Sequence, residues 1–284
     1  MSKDRPLPPI APGFDGSAFY YASLVVLEVL YLVDGDRVRP YLDGSGLEIA
    51  TFEEGRAAAG FNFQMYTSVF PGSMGTIMEI ELNAFAYPAD AAQPAVSFRD
   101  WVLGADQSKL IGSHRVHVPC DNDTAIAAGT ELYGEPKFKT QFIPDFPVPN
   151  GPGGTTWSFV CCDPEHPPTG DDEDARAHAI YTCAAQLDGL DPVLSNPAPI
   201  TVYGTVTAEG PDKGKPIGAR WNILRPFETY FLAPGDANRV ELGYGASQHP
   251  MQADVKRIIG DAPASVVRST ISPPAAIQSR TYWP

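Results

Sequence analysis

Positively charged residues are scarce in this sequence of 284 residues. Lysine and arginine together number 20, against 34 aspartates and glutamates, which gives a formal net charge of −14. A chain this acidic repels phosphate backbones, so no nucleic-acid partner is expected. A small-molecule site is still compatible with this charge, because a local pocket can differ in sign from the rest of a protein.

Long apolar runs are also missing. The longest, LVVLEVLYLV at residues 24–33, is interrupted by Glu28 and is shorter than a membrane-spanning helix requires. The first residues, MSKDRPLPPIAPGFDG, contain no apolar core of a signal peptide. The sequence therefore predicts a cytoplasmic protein without a membrane partner. It also predicts an N-terminal arm at residues 1–16, followed by a single domain at 17–284.

Cysteine and histidine, the usual metal ligands, number only four and five. No two cysteines have CxxC spacing, and the adjacent Cys161 and Cys162 are interpreted as small apolar residues of a buried strand. His114 and His117 have no acidic or cysteine cluster beside them, and the acidic loop at 163–174 lacks EF-hand spacing. No metal site is predicted.

Proline and glycine are abundant by contrast, with 29 and 26 residues spread along the chain. They divide it into short segments, several of which have the alternation or the β-branched and aromatic content of strands. Helical composition is limited to residues 173–187 and to a C-terminal stretch at 254–259 and 264–268. The pattern predicts a mostly β domain, a barrel or a sandwich. The predicted strands cover residues 24–33, 59–69, 76–86, 114–119, 155–162, 198–207 and 240–244.

The segment at residues 121–141, DNDTAIAAGTELYGEPKFKTQ, is the least generic part of the chain. The small apolar residues at 124–128 can pack closely, and Gly129 is expected to allow a bend. Pro136 fixes the backbone immediately before Lys137. A lysine presented after a rigid turn and beside small residues is a candidate for a desolvated, reactive amine.

The same segment resembles acetoacetate decarboxylase, a family with a run of the form AIAxGxELxxxPK that ends in a Schiff-base lysine. Here the run is AIAAGTEL at 125–132, then YGE, then Pro136 and Lys137. Two later stretches, HPMQADVKRIIG from His249 and PPAAIQSRTYW from Pro273, follow the family's closing pattern. The resemblance runs from about residue 24 to the end. It implies a mostly β, barrel-like or cone-shaped antiparallel domain with a few peripheral helices, assembled as a homo-oligomer.

The resemblance also implies that Lys137 forms an imine with a carbonyl substrate, without a cofactor, because the protonated imine is itself the electron sink. Imine formation needs a neutral amine, whereas the reference pKa of lysine is about 10.4. Burial lowers the pKa of a lysine by disfavouring its charged form. The sequence therefore predicts a buried Lys137 with a lowered pKa.

The family's second lysine, which directly follows the first, is replaced here by Phe138, with Lys139 one residue later. In an extended segment Lys137 and Lys139 share a face, so Lys139 is predicted either to line the pocket or to lie in solvent.

The family's other site residues are matched in part. Gln64 falls at the position of the family's first glutamate and Glu79 at that of the second, although Glu81 becomes the match after a small shift. The family's early arginine corresponds to Leu24, and no arginine lies nearby in the sequence. Glu79 is predicted to be catalytic and Gln64 to contact the substrate.

Tyr133 and Glu135 flank the lysine and are further candidates for substrate binding or proton transfer. Three functions remain open: a Schiff-base decarboxylase for an acetoacetate-like oxo acid, a Schiff-base aldolase or dehydratase for a larger oxo acid, and a non-catalytic ligand-binding barrel. Each takes a small molecule as its partner.

Overall fold

The computed structural model describes residues 20–70, 73–147, 155–170, 172–207 and 209–273. The predicted N-terminal arm at 1–16 lies outside the described residues. So does almost all of the C-terminal stretch from Pro273 that carries part of the sequence resemblance.

Fifteen strands and five α-helices make up the described part of the chain, which confirms the mostly β prediction. The strands are β1 Tyr20–Val33, β2 Leu47–Ile49, β3 Ala57–Phe70, β4 Ser73–Pro88, β5 Gly112–Cys120, β6 Lys137–Lys139, β7 Phe142–Asp145, β8 Thr156–Cys161, β9 Tyr181–Gln186, β10 Val193–Ser195, β11 Ile200–Thr205, β12 Pro216–Trp221, β13 Phe227–Phe231, β14 Val240–Gly243 and β15 Ala264–Ile271. The helices are α1 Gly35–Val38, α2 Phe98–Leu103, α3 Asp123–Tyr133, α4 Asp172–Ala177 and α5 Pro250–Ile258. Three 3-10 turns cover Arg39–Tyr41, Glu53–Gly55 and Pro234–Arg239.

The strands form two sheets. The larger has the order β10-β13-β15-β1-β3-β4-β5-β11-β12, with β2 also paired to β4 and β6 to β5. The smaller has the order β14-β9-β8-β7. Neighbours are antiparallel except for β5 with β6 and β5 with β11. The hydrogen bonds among the described strands leave β10 and β12 as edges, so they do not close the expected barrel.

The main core lies between one face of the large sheet, the small sheet and α5. Alternate residues of β3 and β4, such as Phe61, Phe63 and Leu82, face this core and are fully buried. Phe159 of β8 and Met251 of α5 pack against it. The long central strands thus have one face fixed by apolar burial, and their other face is available for polar groups.

Two helical predictions need correction. The predicted helix at 173–187 ends early, because α4 stops at Ala177 and β9 begins at Tyr181. The segment at 264–268 belongs to β15, whereas the preceding stretch at 254–259 is confirmed as helical up to Ile258, the last residue of α5. Both segments have helical composition but form β-strands. Strand β9 alternates buried and partly buried residues, and β15 is rich in β-branched residues.

All four cysteines are buried and free, as expected for small core residues. Within the described ranges, no helix combines the length and the apolar character needed to cross a membrane.

Candidate active site

The face of β3 and β4 opposite the core carries a row of buried polar side chains. Gln64, Tyr66 and Ser68 alternate along β3, and Glu79 and Glu81 do so along β4. The antiparallel register sets Gln64 opposite Glu79. Because residues two apart in a strand share a face, both glutamates point to the same side of the sheet. The sequence left open whether Glu79 or Glu81 faces the pocket, and in the structure both do.

Arg115 reaches the same face through an irregularity in β5. Leu82 pairs with His117 whereas Asn83 pairs with Arg115, so Val116 is an extra residue in β5 at this point. A β-bulge of this kind reverses the alternation of side chains along a strand. Arg115 consequently shares its face with Cys120, although strict alternation would place the two on opposite faces.

Lys137 is positioned by α3 and the turn that follows it. The helix begins at the cap Asn122, whose side chain accepts from the backbone N–H of Ala125, and ends at Gly134 with a left-handed φ of 63°. A Cβ at Gly134 would lie 1.7 Å from the carbonyl oxygen of Thr205. Glycine is thus required there both for its conformation and for the close approach. Lys137 then begins β6, parallel to β5.

Gly129 lies inside α3, so the prediction of a bend at this residue is wrong. Its role is close packing: a Cβ there would lie 2.1 Å from Cε of Lys137 and 2.5 Å from Oε2 of Glu135. The lysine side chain therefore lies directly against the helix backbone.

Five charged side chains meet at this point. Lys137 Nζ lies 2.5 Å from Glu79 Oε2 and 3.5 Å from Glu135 Oε2. Arg115 Nη2 donates to Glu81 Oε1 at 2.6 Å, and its Nε lies 3.3 Å from Glu135 Oε1. All five side chains are at most 8% exposed. Three carboxylates thus surround two cations, an excess of one negative charge.

Neutral groups complete the cluster. Tyr66 donates from its hydroxyl to Glu79 at 3.3 Å, and Gln64 Nε2 donates to Glu81 at 3.3 Å. The acceptor oxygen Oε1 of Gln64 and the hydroxyl of Ser68 have no hydrogen-bond partner in the described part of the chain, although both residues are 1% exposed. Buried polar groups are nearly always paired, so these two atoms are candidates for ligand contacts.

The electrostatics correct the expected state of Lys137. Burial lowers the pKa of Lys137, but the carboxylates of Glu79 and Glu135 outweigh this effect and raise its pKa above the ordinary value. The prediction of a lowered pKa is therefore wrong for the free protein. Burial raises the pKa of Glu135, while Arg115 and Lys137 oppose that shift. Glu135 is the cluster carboxylate on which burial favours a proton.

Two connected cavities surround the cluster. A chamber of about 70 Å³ contains Lys137 and opens beside a cleft of about 480 Å³. Tyr21, Glu81, Arg115, Tyr133 and Glu135 line both. A substrate in the cleft could therefore place one end against the amine.

No family model matches the sequence, and no curated protein matches it. Solved structures do match. The enduracididine biosynthesis enzyme MppR, in complex with pyruvate, is 14% identical, with a TM-score of 0.55 over 92% of this chain and 90% of that chain. The acetoacetate decarboxylase of Legionella pneumophila is 11% identical, with a TM-score of 0.54 over 95% and 93%. An acetoacetate decarboxylase-like enzyme from Sphingomonas wittichii is 13% identical, with a TM-score of 0.52 over 89% of each chain.

The chain has the acetoacetate decarboxylase-like fold. The fold that the lysine segment implied is thereby confirmed across most of the chain, although at these identities the likeness concerns the fold alone.

Within this acetoacetate decarboxylase-like fold, most of the predicted site residues lie together. Lys137, Glu79, Glu135 and Tyr133 line the chamber, and Gln64 lines the adjoining cleft.

Lys139 lies apart from them. Its side chain is 57% exposed and its amine pairs with Asp123 at 2.7 Å. The structure thus favours the solvent placement, because α3 covers Lys137 whereas Lys139 lies beside the first residue of that helix.

Three residues of the cluster were missed from the sequence. Tyr66 and Ser68 follow Gln64 at intervals of two, so strand alternation alone could have identified them. Arg115 carried no such signal, because its orientation depends on the bulge in β5. The arginine sought near Leu24 is absent from that strand, and an arginine from β5 enters the site instead.

Proposed function

We propose that this protein is a Schiff-base-forming lyase that acts on a small oxo acid, with Lys137 as the imine-forming residue. The observation that carries the proposal is the Lys137 amine itself, which is buried, held between two carboxylates and adjacent to a cleft large enough for a substrate. No cofactor is required, because a protonated imine accepts an electron pair without one.

The first step frees the amine. The Lys137 ammonium transfers a proton to one of its two neighbouring carboxylates, and Glu135 is the better acceptor because burial favours its protonated form. The neutral amine then attacks the substrate carbonyl. The resulting carbinolamine loses its hydroxyl as water, with the proton returned from the glutamate, and the protonated imine remains.

Decarboxylation of an acetoacetate-like β-keto acid is the reaction that fits this cluster best. The bond to the substrate carboxylate breaks, its electron pair moves into the imine to form an enamine, and CO2 leaves. Glu79 and Glu81 place negative charge beside the departing carboxylate, which destabilises it relative to neutral CO2. Arg115 is placed to orient that carboxylate. Protonation of the enamine and hydrolysis of the imine release the ketone.

A Schiff-base aldolase or dehydratase is the second candidate, and Gln64 favours it. Its unpaired Oε1 in the cleft suits a substrate hydroxyl, the group that is transformed in aldol and dehydration steps. MppR has been solved with pyruvate and with the condensation product of pyruvate and imidazole 4-carboxaldehyde, which makes larger oxo acids relevant to this fold.

The fold likeness also leads us to expect a homo-oligomer, which light scattering would test.

Borohydride trapping with acetoacetate and a panel of oxo acids tests the proposal. We expect a reduced adduct on the peptide that contains Lys137, lost in Lys137→Ala and retained in the matched Lys139→Ala control. CO2 release alongside the adduct selects decarboxylation, and an adduct without CO2 selects the aldolase or dehydratase. A folded protein that forms no adduct with any oxo acid would instead support the third hypothesis, a non-catalytic binding protein.

A further inference from the structure

The cleft outside the chamber is much larger than a substrate such as acetoacetate requires. Its volume is about 480 Å³, against about 70 Å³ for the chamber that holds Lys137. Ligand sites of about 300 Å³ and more accommodate molecules larger than a four-carbon acid. A substrate confined to the chamber would leave the cleft empty.

The charge of the cleft is opposite to that of the chamber. The residues that line the cleft but not the chamber include Arg220 and Arg225 and, within the described ranges, no aspartate or glutamate beyond Glu81 and Glu135, which both cavities share. Neither arginine forms an ion pair with any described residue. Arg220 donates to the carbonyl oxygen of Lys109 at 2.6 Å and to the hydroxyl of Thr201, and Arg225 is exposed. In a protein of net charge −14, two arginines without carboxylate partners mark a place for an anion.

The cleft that contains these arginines also has apolar lining residues. Trp221 and Ile223 line the cleft, and Leu224 next to Arg225 is 96% exposed. An exposed leucine is unremarkable when isolated, but this one lines the same concave site as the aromatic residue Trp221. An alkyl or aromatic segment of a ligand would cover these side chains.

We propose that the substrate is an oxo acid with a second acidic group, joined to the reacting carbonyl by an apolar segment. The carbonyl end enters the chamber, the apolar segment lies along Trp221 and Leu224, and the distal anion binds Arg225 with support from Arg220. This deepens the proposed function and rests on it for the identity of the reacting end. The distal site itself can be tested separately.

Binding of adipate, a dicarboxylate without a ketone, measures the distal site independently of imine formation. We expect calorimetry to show adipate binding that is weakened about fivefold in Arg225→Gln, the scale of one exposed ion pair. Arg176→Gln removes an exposed arginine from α4, outside the cleft, and is the matched control. Absence of adipate binding, or an equal effect of both variants, would overturn the distal site.

Kinetics with three β-keto acids extend the test to the substrate. We expect kcat/KM to rise from acetoacetate to 3-oxohexanoate and again to 3-oxoadipate. Arg225→Gln should remove the second rise, and Leu224→Ser should reduce both. A preference for acetoacetate over 3-oxoadipate would overturn the proposal. Adipate binding that depends on Arg225, without an adduct at Lys137 from any oxo acid, would refute the imine mechanism and leave the anion site standing.

Discussion

The amine of Lys137 is subject to two opposed effects. Burial disfavours its charge, whereas Glu79 at 2.5 Å and Glu135 at 3.5 Å favour it, and the carboxylates prevail in the free protein. A buried ammonium is tolerated only when it is paired in this way. The reactive neutral amine therefore has to be generated by proton transfer within the cluster. The pKa of Lys137 depends on the charges of the neighbouring carboxylates.

Glu79→Gln should make Lys137 more reactive towards a small amine-specific reagent. Removing an adjacent carboxylate lowers the pKa of a lysine by about one to three units. Each unit increases the neutral fraction tenfold below that pKa, so at pH 8 we expect labelling of Lys137 to be at least tenfold faster. Peptide mass spectrometry measures this rate.

Two controls accompany that experiment. Exposed Lys139, paired with Asp123, should be labelled at the same rate in both proteins. Glu79→Asp keeps the charge and should stay close to the wild-type rate at Lys137. Labelling of Lys137 that is unchanged or slower in Glu79→Gln would show that Glu79 does not hold the proton on the amine.

At the level of single elements, the sequence predicts the long central strands, but it assigns the segments of β9 and β15 to helices and does not reveal local irregularities. The residue pattern of β3 and β4 predicts both strands, because one face of each is buried. The assignment of Gln64 and Glu79 to the site came from the family resemblance. The position of Arg115 could not be predicted from the sequence. One extra residue in β5 reverses its side, and no pattern in the sequence marks that residue.

Helix α3 is a second element that the sequence predicts only in part. The sequence predicts close packing by its small residues, but it also predicts a bend at Gly129. Glycine does weaken a helix interior. Here the cap at Asn122 and the packing against Lys137 outweigh that cost, and the glycine provides the space that the lysine side chain occupies.

Gly129→Ala is therefore expected to lower both stability and activity. Alanine improves helix propensity by about 1 kcal/mol. The new methyl group, however, would lie 2.1 Å from Cε of Lys137 and 2.5 Å from Oε2 of Glu135, and moving these side chains disrupts the buried ion pairs of Lys137. Disrupting a buried ion pair costs about 3–5 kcal/mol, so we expect the free energy of unfolding to fall by about 2 kcal/mol or more. We expect imine formation to fall about 100-fold because the amine is displaced.

Gly235→Ala is the matched control, since a Cβ there would meet nothing within 4 Å. Urea unfolding and the rate of borohydride trapping measure the two quantities. Full activity of Gly129→Ala would contradict the close packing of Lys137 against α3.

At the scale of the whole molecule, β1 brings the first and last strands of the described chain together in one sheet. It pairs with β3 on one side and with β15, the last strand, on the other. Glu28 of β1 and Arg268 of β15 lie directly opposite each other and form a buried ion pair, with the arginine over the ring of Phe227. This pair lies on the polar face of the sheet, with Asn62 opposite Glu28 on β3. The sequence predicted neither partner, because their contact joins residues 240 positions apart.

Arg268→Met should destabilise the protein strongly through the charge that it leaves behind. Removing one partner of a buried ion pair costs about 3–5 kcal/mol, because the other charge remains buried without compensation. Replacing both partners with apolar residues removes that penalty. We therefore expect Glu28→Leu combined with Arg268→Met to be more stable than Arg268→Met alone, by about 2 kcal/mol in urea unfolding with an unchanged slope. A double variant as unstable as the sum of the two single variants would mean that the pair does not act as a unit, and that each side chain stabilises the sheet through its own packing.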